Sequence, residues 1–299
     1  MIYLSDKANK LKMLKADLSL IFVVIIWGTT FPLMKIALGN VKPFYFLSLR
    51  FITAFIVLTL ILNKRLKKLN LKSFKKGSFL GLWLFFGFAF QIYGLQFTTA
   101  SRSGFITGLS VVIVPILAIF ILKEKPTLSS WIGVLLALTG MYFLTGFTEA
   151  GFNLGDLLTF FCAVSIASQI VFLSKYIKDE DPLVITWLQI TTVMVLSTVI
   201  SFFEASSGVT ISANSIFVIV YTGIFASALA IFIQSRAQQF TTSTHVGLIF
   251  SLEPVFGAIF SFFILQEVLT TMGMIGGALI FTGIILSEIG DKTVGEEYE

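Results

Sequence analysis

The sequence predicts an all-α membrane protein of ten transmembrane helices, arranged as two inverted five-helix repeats. Three observations predict it. The first is composition: of 299 residues, 56% are hydrophobic and only 12% charged, and the mean hydropathy is +0.94. A soluble domain carries about 25% charged residues, and a surface this poor in charge would not stay in water. The second is that the apolar residues form ten runs, each near the ~20 residues that cross a bilayer. The third is a duplication. Residues 97–143 reappear as 240–286 at a constant offset of 143, without a gap, and more than a third of the aligned positions are identical.

The runs fall at about 17–38, 43–62, 76–96, 102–122, 127–146, 154–175, 182–203, 213–236, 241–265 and 270–288. Short connections make neighbouring spans antiparallel and leave no room for a soluble domain. Residues 1–16 then form an N-terminal cytoplasmic segment, 17–146 a first repeat, 154–288 a second and 289–299 a cytoplasmic tail. The first run follows Lys7, Lys10, Lys12 and Lys15, as a signal peptide's basic region would. Its length and the lack of a small-residue cleavage site favour an uncleaved first span. Within it, Pro32 denies a hydrogen bond to the Gly28 carbonyl, which predicts a bent or flexible helix. Transporters often bind solute at such discontinuities.

Basic residues set the orientation, because cytoplasmic segments accumulate Lys and Arg. With the N-terminus inside, the cytoplasmic segments hold Lys7, Lys10, Lys12, Lys15, Lys64, Arg65, Lys67, Lys68, Lys72, Lys75, Lys76, Lys123, Lys125, Lys175, Lys178, Arg236 and Lys292, 17 in all. The outer side holds only Lys35, Lys42 and Arg102, and Arg50 lies within a span. Both termini are therefore expected in the cytoplasm of a multi-pass cell (inner) membrane protein. Five spans per half is an odd number, so the second half enters from the opposite side. Inverted repeats of this kind support alternating access around a site near the midplane.

Three segments carry a family resemblance: WGTTFPLMKIAL at 27–38, PFYFLSLRF at 43–51 and SLEPVFGAIFSFFILQEVLT at 251–270, trailed by Gly276 and Gly283. In that order, on two five-span repeats, the chain resembles the EamA family of the drug/metabolite transporter superfamily, from about residue 17 to 288. The resemblance implies a ten-helix transporter of small metabolites, with relatives that export amino acids or their derivatives. It also implies a central cavity lined chiefly by spans three, four, eight and nine, with spans five and ten peripheral. Where the second half has Glu253-Pro254 the first has Ser110-Val111, so the half-sites are expected to be chemically unequal.

Glu253 is the foremost candidate for substrate binding and for coupling. It lies about 12 residues from either end of span nine, roughly 18 Å from each end at about 1.5 Å per residue. A carboxylate that deep must face a cavity or a partner, and it suits an ammonium group or a carried proton. The alternative is a structural Glu bonded to a neighbouring helix. Arg50 lies about 10 Å into span two and could meet a substrate carboxylate or Glu253; snorkelling or helix bridging competes. Gln91 and Gln234 are repeat mates at the 143 offset, and amides can both donate and accept; helix-to-helix bonding is the competing role. Trp27 and Tyr93 are candidate walls of the same substrate site, though lipid contact or core packing is the commoner fate of such aromatics. His245 is expected at the interface. Glu124 and Glu267, also repeat mates, are expected at helix starts, where the dipole favours a carboxylate.

Several classes are excluded or disfavoured. One histidine and one cysteine make a metal or haem site improbable, and no cofactor is expected. The basic residues sit between apolar runs, so nucleic acid is not expected as a partner; a lipid bilayer and a small-molecule substrate are. No G-x-x-x-x-G-K-[ST] loop is present, so ATP does not drive the protein directly. An intramembrane enzyme would need convergent acid, base or metal groups that the spans lack, so the chain is not expected to be an enzyme. Gly273-x-x-x-Gly277 in span ten could serve a homodimer, with packing inside the monomer as the default. The leading reading is a secondary transporter, an exporter of a small polar metabolite such as an amino acid or derivative. The alternative is a transporter of lipophilic cations or drugs.

Overall fold

A computed structural model describes residues 2–38, 41–62, 69–98, 100–145, 153–204, 212–266 and 270–297. Among them every regular element is helical. With no water in hydrocarbon to satisfy N–H and C=O groups, a helix that closes its own bonds is one of two ways to cross. The elements in order are α1 (Ile2–Leu38), α2 (Pro43–Leu62), α3 (Leu71–Gly94), α4 (Ala100–Gly108), α5 (Ser110–Leu122), α6 (Leu128–Thr145), α7 (Leu154–Tyr176), α8 (Pro182–Ser201), α9 (Ala213–Tyr221), α10 (Ala230–Ala237), α11 (Ser243–Phe250), α12 (Glu253–Leu265) and α13 (Thr271–Glu297).

Among the described residues, eight stretches are long and apolar enough to cross a membrane, and two apolar helices are shorter, Leu128–Leu144 and Thr271–Ser287. These two stand where the fifth and tenth spans were expected. A helix of that size reaches about 26 Å at about 1.5 Å per residue, a little under the ~30 Å hydrocarbon core. α1 begins at Ile2 and continues through Pro32, and α13 runs on to Glu297.

Two expected spans are broken. The fourth divides between α4 and α5 at Leu109, and the ninth between α11 and α12 at Ser251 and Leu252. In the ninth, Pro254 cannot donate to the Phe250 carbonyl, and the Ser251 hydroxyl donates back to Leu248 O at 2.6 Å. Leu109 and Leu252 are repeat mates at the 143 offset, as are the two left-handed residues that end α5 and α12, Lys123 and Gln266, both at φ 58°. The eighth span departs differently: Thr222–Leu229, between α9 and α10, forms a π-helix.

Carboxylates close helix starts, two of them from a distance in sequence. Glu124 accepts from Ser243 N and Oγ and from Thr244 Oγ1, so it caps α11 in the other half rather than the helix that follows it in sequence. Its repeat mate Glu267 lies outside the described residues. Glu204 does the same for α2 through Phe44 N and Tyr45 N. Asp156 completes a capping box with Asn153 at the start of α7.

The helices meet most closely where side chains are absent. A Cβ at Gly133 of α6 would lie 2.6 Å from the Gly283 carbonyl oxygen of α13, and one at Gly283 would lie 2.6 Å from Gly133 O. Gly140 and Gly276 oppose each other in the same way. Small residues let membrane helices pack backbone to backbone, where dispersion replaces the missing hydrophobic drive. Around them, Leu20, Val24, Val114, Met141, Ile170 and Val246 fill one buried cluster between α1, α5, α6, α7 and α11. Phe51, Leu84, Phe85, Ile190 and Ile231 fill another between α2, α3, α8 and α10.

Candidate functional site

Between these clusters lies a cavity of about 80 Å³, enough for several waters or a small polar group. It receives Trp27, Thr30 and Met34 from α1, Arg50 from α2, Leu84, Phe88 and Gln91 from α3, and Ile166 and Gln169 from α7. The broken spans supply Thr107, Ser110, Phe250, Ser251, Glu253 and Pro254, and α10 supplies Gln234. Among the described residues, none that lines it comes from α6 or α13. Spans one, two and six do line it, which widens the four-span expectation.

Five of the six candidate residues meet here: Glu253, Arg50, Gln91, Gln234 and Trp27. Tyr93 does not. It is 44% exposed and its ring lies against Phe44 and Phe97, away from the cavity. Two residues along a helix turn the side chain by about 200°, so Gln91 and Tyr93 cannot share a face. His245 lies near the start of α11, where its side chain is buried and its backbone N–H is bonded to Thr242 Oγ1.

Arg50 is buried and held in place. Its Nε donates to Ser227 Oγ at 2.7 Å, Nη2 reaches Ala226 O at 3.5 Å, and the guanidinium carbon stands 4.9 Å from the centre of the Phe88 ring. Trp27 donates its indole N–H to the same Ala226 carbonyl at 2.9 Å and meets the Phe250 ring edge-on at 4.9 Å. Ala226 and Ser227 belong to the π-helix, whose wide turn brings its groups to both side chains; π segments frequently sit at functional sites. Across the cavity, Glu253 opens α12. Among the described residues no ion pair joins it to Arg50 and no protein group hydrogen-bonds its carboxylate. The cavity wall thus carries one fixed guanidinium and one carboxyl group, which no ion pair joins among the described residues.

Sequence reasoning missed three polar groups at and behind this surface. Gln169 on the wall, and Gln189 and Gln238 behind it, are buried and form one hydrogen-bonded chain with Gln234: Gln238 to Gln234, Gln234 to Gln169, and Gln169 to Gln189. The lining residues also fall in repeat pairs. Gln91 and Gln234, Thr107 and Phe250, Gly108 and Ser251, and Ser110 and Glu253 differ by 143. Trp27 and Ile166, and Thr30 and Gln169, differ by 139.

The EamA-like transporter family model matches residues 14–146 and again 153–289. The chain belongs to the EamA-like transporter family. Relatives of this EamA-like protein agree over nearly the whole chain. An "Uncharacterized transporter" of Archaeoglobus fulgidus is 36% identical over 279 residues, covering 93% of this chain and 87% of that protein. The "Uncharacterized transporter YoaV" of Bacillus subtilis is 23% identical, covering 92% and 97%. A crystal structure of a protein with 19% identity superposes with a TM-score of 0.79 over 94% of this chain and 98% of that one, which shows the shared fold. The apolar helices and the family make this EamA-like chain an integral membrane transporter.

Proposed function

We propose that the protein is a secondary transporter that exports a small polar metabolite, such as an amino acid or a derivative, by alternating access of two inverted five-helix repeats. One observation carries the reading: a cavity between the halves holds a buried guanidinium, Arg50, and a carboxylate, Glu253, that no ion pair joins among the described residues. A zwitterion would offer a carboxylate to the first and an ammonium to the second. Trp27, Phe88 and Phe250 would cover its apolar part. Glu253 could also carry a coupling proton.

Support for the inverted repeat comes from contacts that recur with the halves exchanged. Thr241 of the second half donates to Asp17 of the first at 2.9 Å; Thr98 of the first donates to Asp156 of the second at 2.9 Å. Thr98 and Thr241 differ by 143, Asp17 and Asp156 by 139. The paired glycine contacts of α6 and α13 follow the same exchange. The Lys and Arg distribution, separately, favours both termini on the cytoplasmic side of the cell membrane.

The aromatic lining around Glu253 favours a second reading, a transporter of lipophilic cations. Metabolite profiling of cells with and without the protein, then uptake of the affected compounds into proteoliposomes, tests the first. Uptake of amino acids abolished by Arg50→Leu supports it. Uptake of lipophilic cations alone, insensitive to Arg50→Leu, favours the second.

A further inference from the structure

Four buried glutamines form a hydrogen-bonded chain whose direction one backbone group sets. Gln238 Nε2 lies 2.9 Å from the Ile170 carbonyl oxygen and 2.7 Å from Ser174 Oγ. A carbonyl can only accept, so the Gln238 amide must turn its NH₂ group that way. Its Oε1 then faces Gln234, whose Nε2 stands 3.0 Å away and must be the donor. The same Nε2 donates to Gln169 Oε1 at 3.0 Å, and Gln169 Nε2 donates onward to Gln189 Oε1 at 2.9 Å.

Both amide protons of Gln234 are therefore committed to protein acceptors. What remains is its carbonyl oxygen, on a residue that lines the cavity with Glu253. No protein donor reaches that oxygen among the described residues, and it is not sealed from the cavity as Gln189 Nε2, at the far end of the chain, is sealed. An amide free to rotate could offer a ligand either a donor or an acceptor. This one cannot, because turning it would set two N–H groups and two carbonyl oxygens in the wrong places at once.

We infer that Gln238 and Gln169 are positioning residues that lock Gln234 as an acceptor, so that this wall of the cavity selects a cation bearing N–H donors over one that bears none. The inference rests on reading the cavity as the substrate site. A primary ammonium can serve the Glu253 carboxylate and the Gln234 oxygen together. A quaternary ammonium carries the charge but leaves the oxygen unpaired, and sites built to hydrogen-bond a ligand reject analogues that lack the bond.

The test uses the full chain in nanodiscs and two probes, ethylammonium and tetramethylammonium, titrated by saturation-transfer NMR. The same samples, ¹⁵N-labelled at glutamine, report the side-chain amides, with Gln234→Leu assigning its signals. The expected result is a preference of about tenfold for ethylammonium and two exchange-protected Gln234 side-chain protons. In Gln238→Leu the preference should fall to within about threefold of unity, and the protection should be lost. A purely structural role for Gln238 would lower stability without changing the ratio. Equal binding of the two probes by the wild-type protein would overturn the inference and leave the substrate-site reading standing. Rapidly exchanging Gln234 protons, or a ratio unchanged in Gln238→Leu, would also overturn it. Binding of neither probe would overturn it together with the assignment of Glu253 to cation recognition.

Discussion

Thr241 donates a hydrogen bond to Asp17 across the two halves of the chain, at 2.9 Å. Its counterpart with the halves exchanged joins Thr98 to Asp156 at the same distance. In an alternating-access cycle the two contacts should lie on opposite sides of the substrate and close different gates. Thr241→Val and Thr98→Val are expected to shift the resting population in opposite directions. A net hydrogen bond of about 1 kcal/mol corresponds to roughly a fivefold change. Reagent accessibility of the cavity, measured from each side, checks this; a shift in the same direction for both variants would contradict it.

Glu253→Gln should reduce transport by about tenfold or more while the protein still folds and inserts. The substitution keeps the shape and removes the charge and its proton. If Glu253 binds the substrate's ammonium group, affinity falls at every pH. If it carries a coupling proton, substrate exchange survives and pH-driven accumulation is lost, because exchange moves no net proton. Wild-type behaviour in both assays would return Glu253 to a structural role.

Ser227→Ala should lower stability by about 1–3 kcal/mol, because it leaves the buried Nε of Arg50 without its 2.7 Å partner. Thermal unfolding in detergent measures this. A melting temperature unchanged from wild type would mean that water or another group takes the place of the hydroxyl.

Gly28→Ala should cost a similar amount for a different reason. A Cβ there would lie 2.9 Å from the Phe256 carbonyl carbon and 3.0 Å from Gly257 N, backbone atoms that cannot rotate away. α1 and α12 would have to part, at a cost of about 1–3 kcal/mol. Because α12 carries Glu253, transport should fall as well. Normal stability and transport would contradict this close approach.

The Lys76–Glu180 ion pair, 2.8 Å long at the ends of α3 and α7, predicts a pH dependence. Burial alone would raise the Glu180 carboxyl. Hydrogen bonds from Lys76 and Ser73, and the charges of Lys76 and Lys72, outweigh it and hold the group below the usual carboxylate range. A lowered folded value means that its contribution is present above the unfolded pKa of about 4.3 and is lost as pH falls through the folded value. Glu180→Gln should therefore flatten the acid limb of the stability profile below about pH 4. An acid limb identical to wild type would contradict the assignment.

The spans were legible because hydrocarbon demands long apolar runs, and Glu253, Arg50, Gln91 and Gln234 because polar groups in such runs need a reason to be there; Trp27 was legible only as one candidate aromatic wall. Their neighbours were legible too, through helical spacing. Thr30 and Met34 follow Trp27 by three and seven, and Phe88 and Leu84 precede Gln91 by the same steps, which puts each set on one face. The same rule excludes Tyr93. The glutamine chain was not legible, since a glutamine in an apolar run does not reveal its partner on another helix. Nor was the π-helix at 222–229, whose residues TGIFASAL differ in no evident way from an α-helical run.

The most direct test of the account is the accessibility of a single cysteine at position 91, in a Cys162→Ser background, to a membrane-impermeant maleimide. Right-side-out and inside-out vesicles present the two faces separately. Alternating access around this cavity predicts labelling from both sides, with protection from both by a transported solute. Labelling from one side only, or from neither, would contradict it.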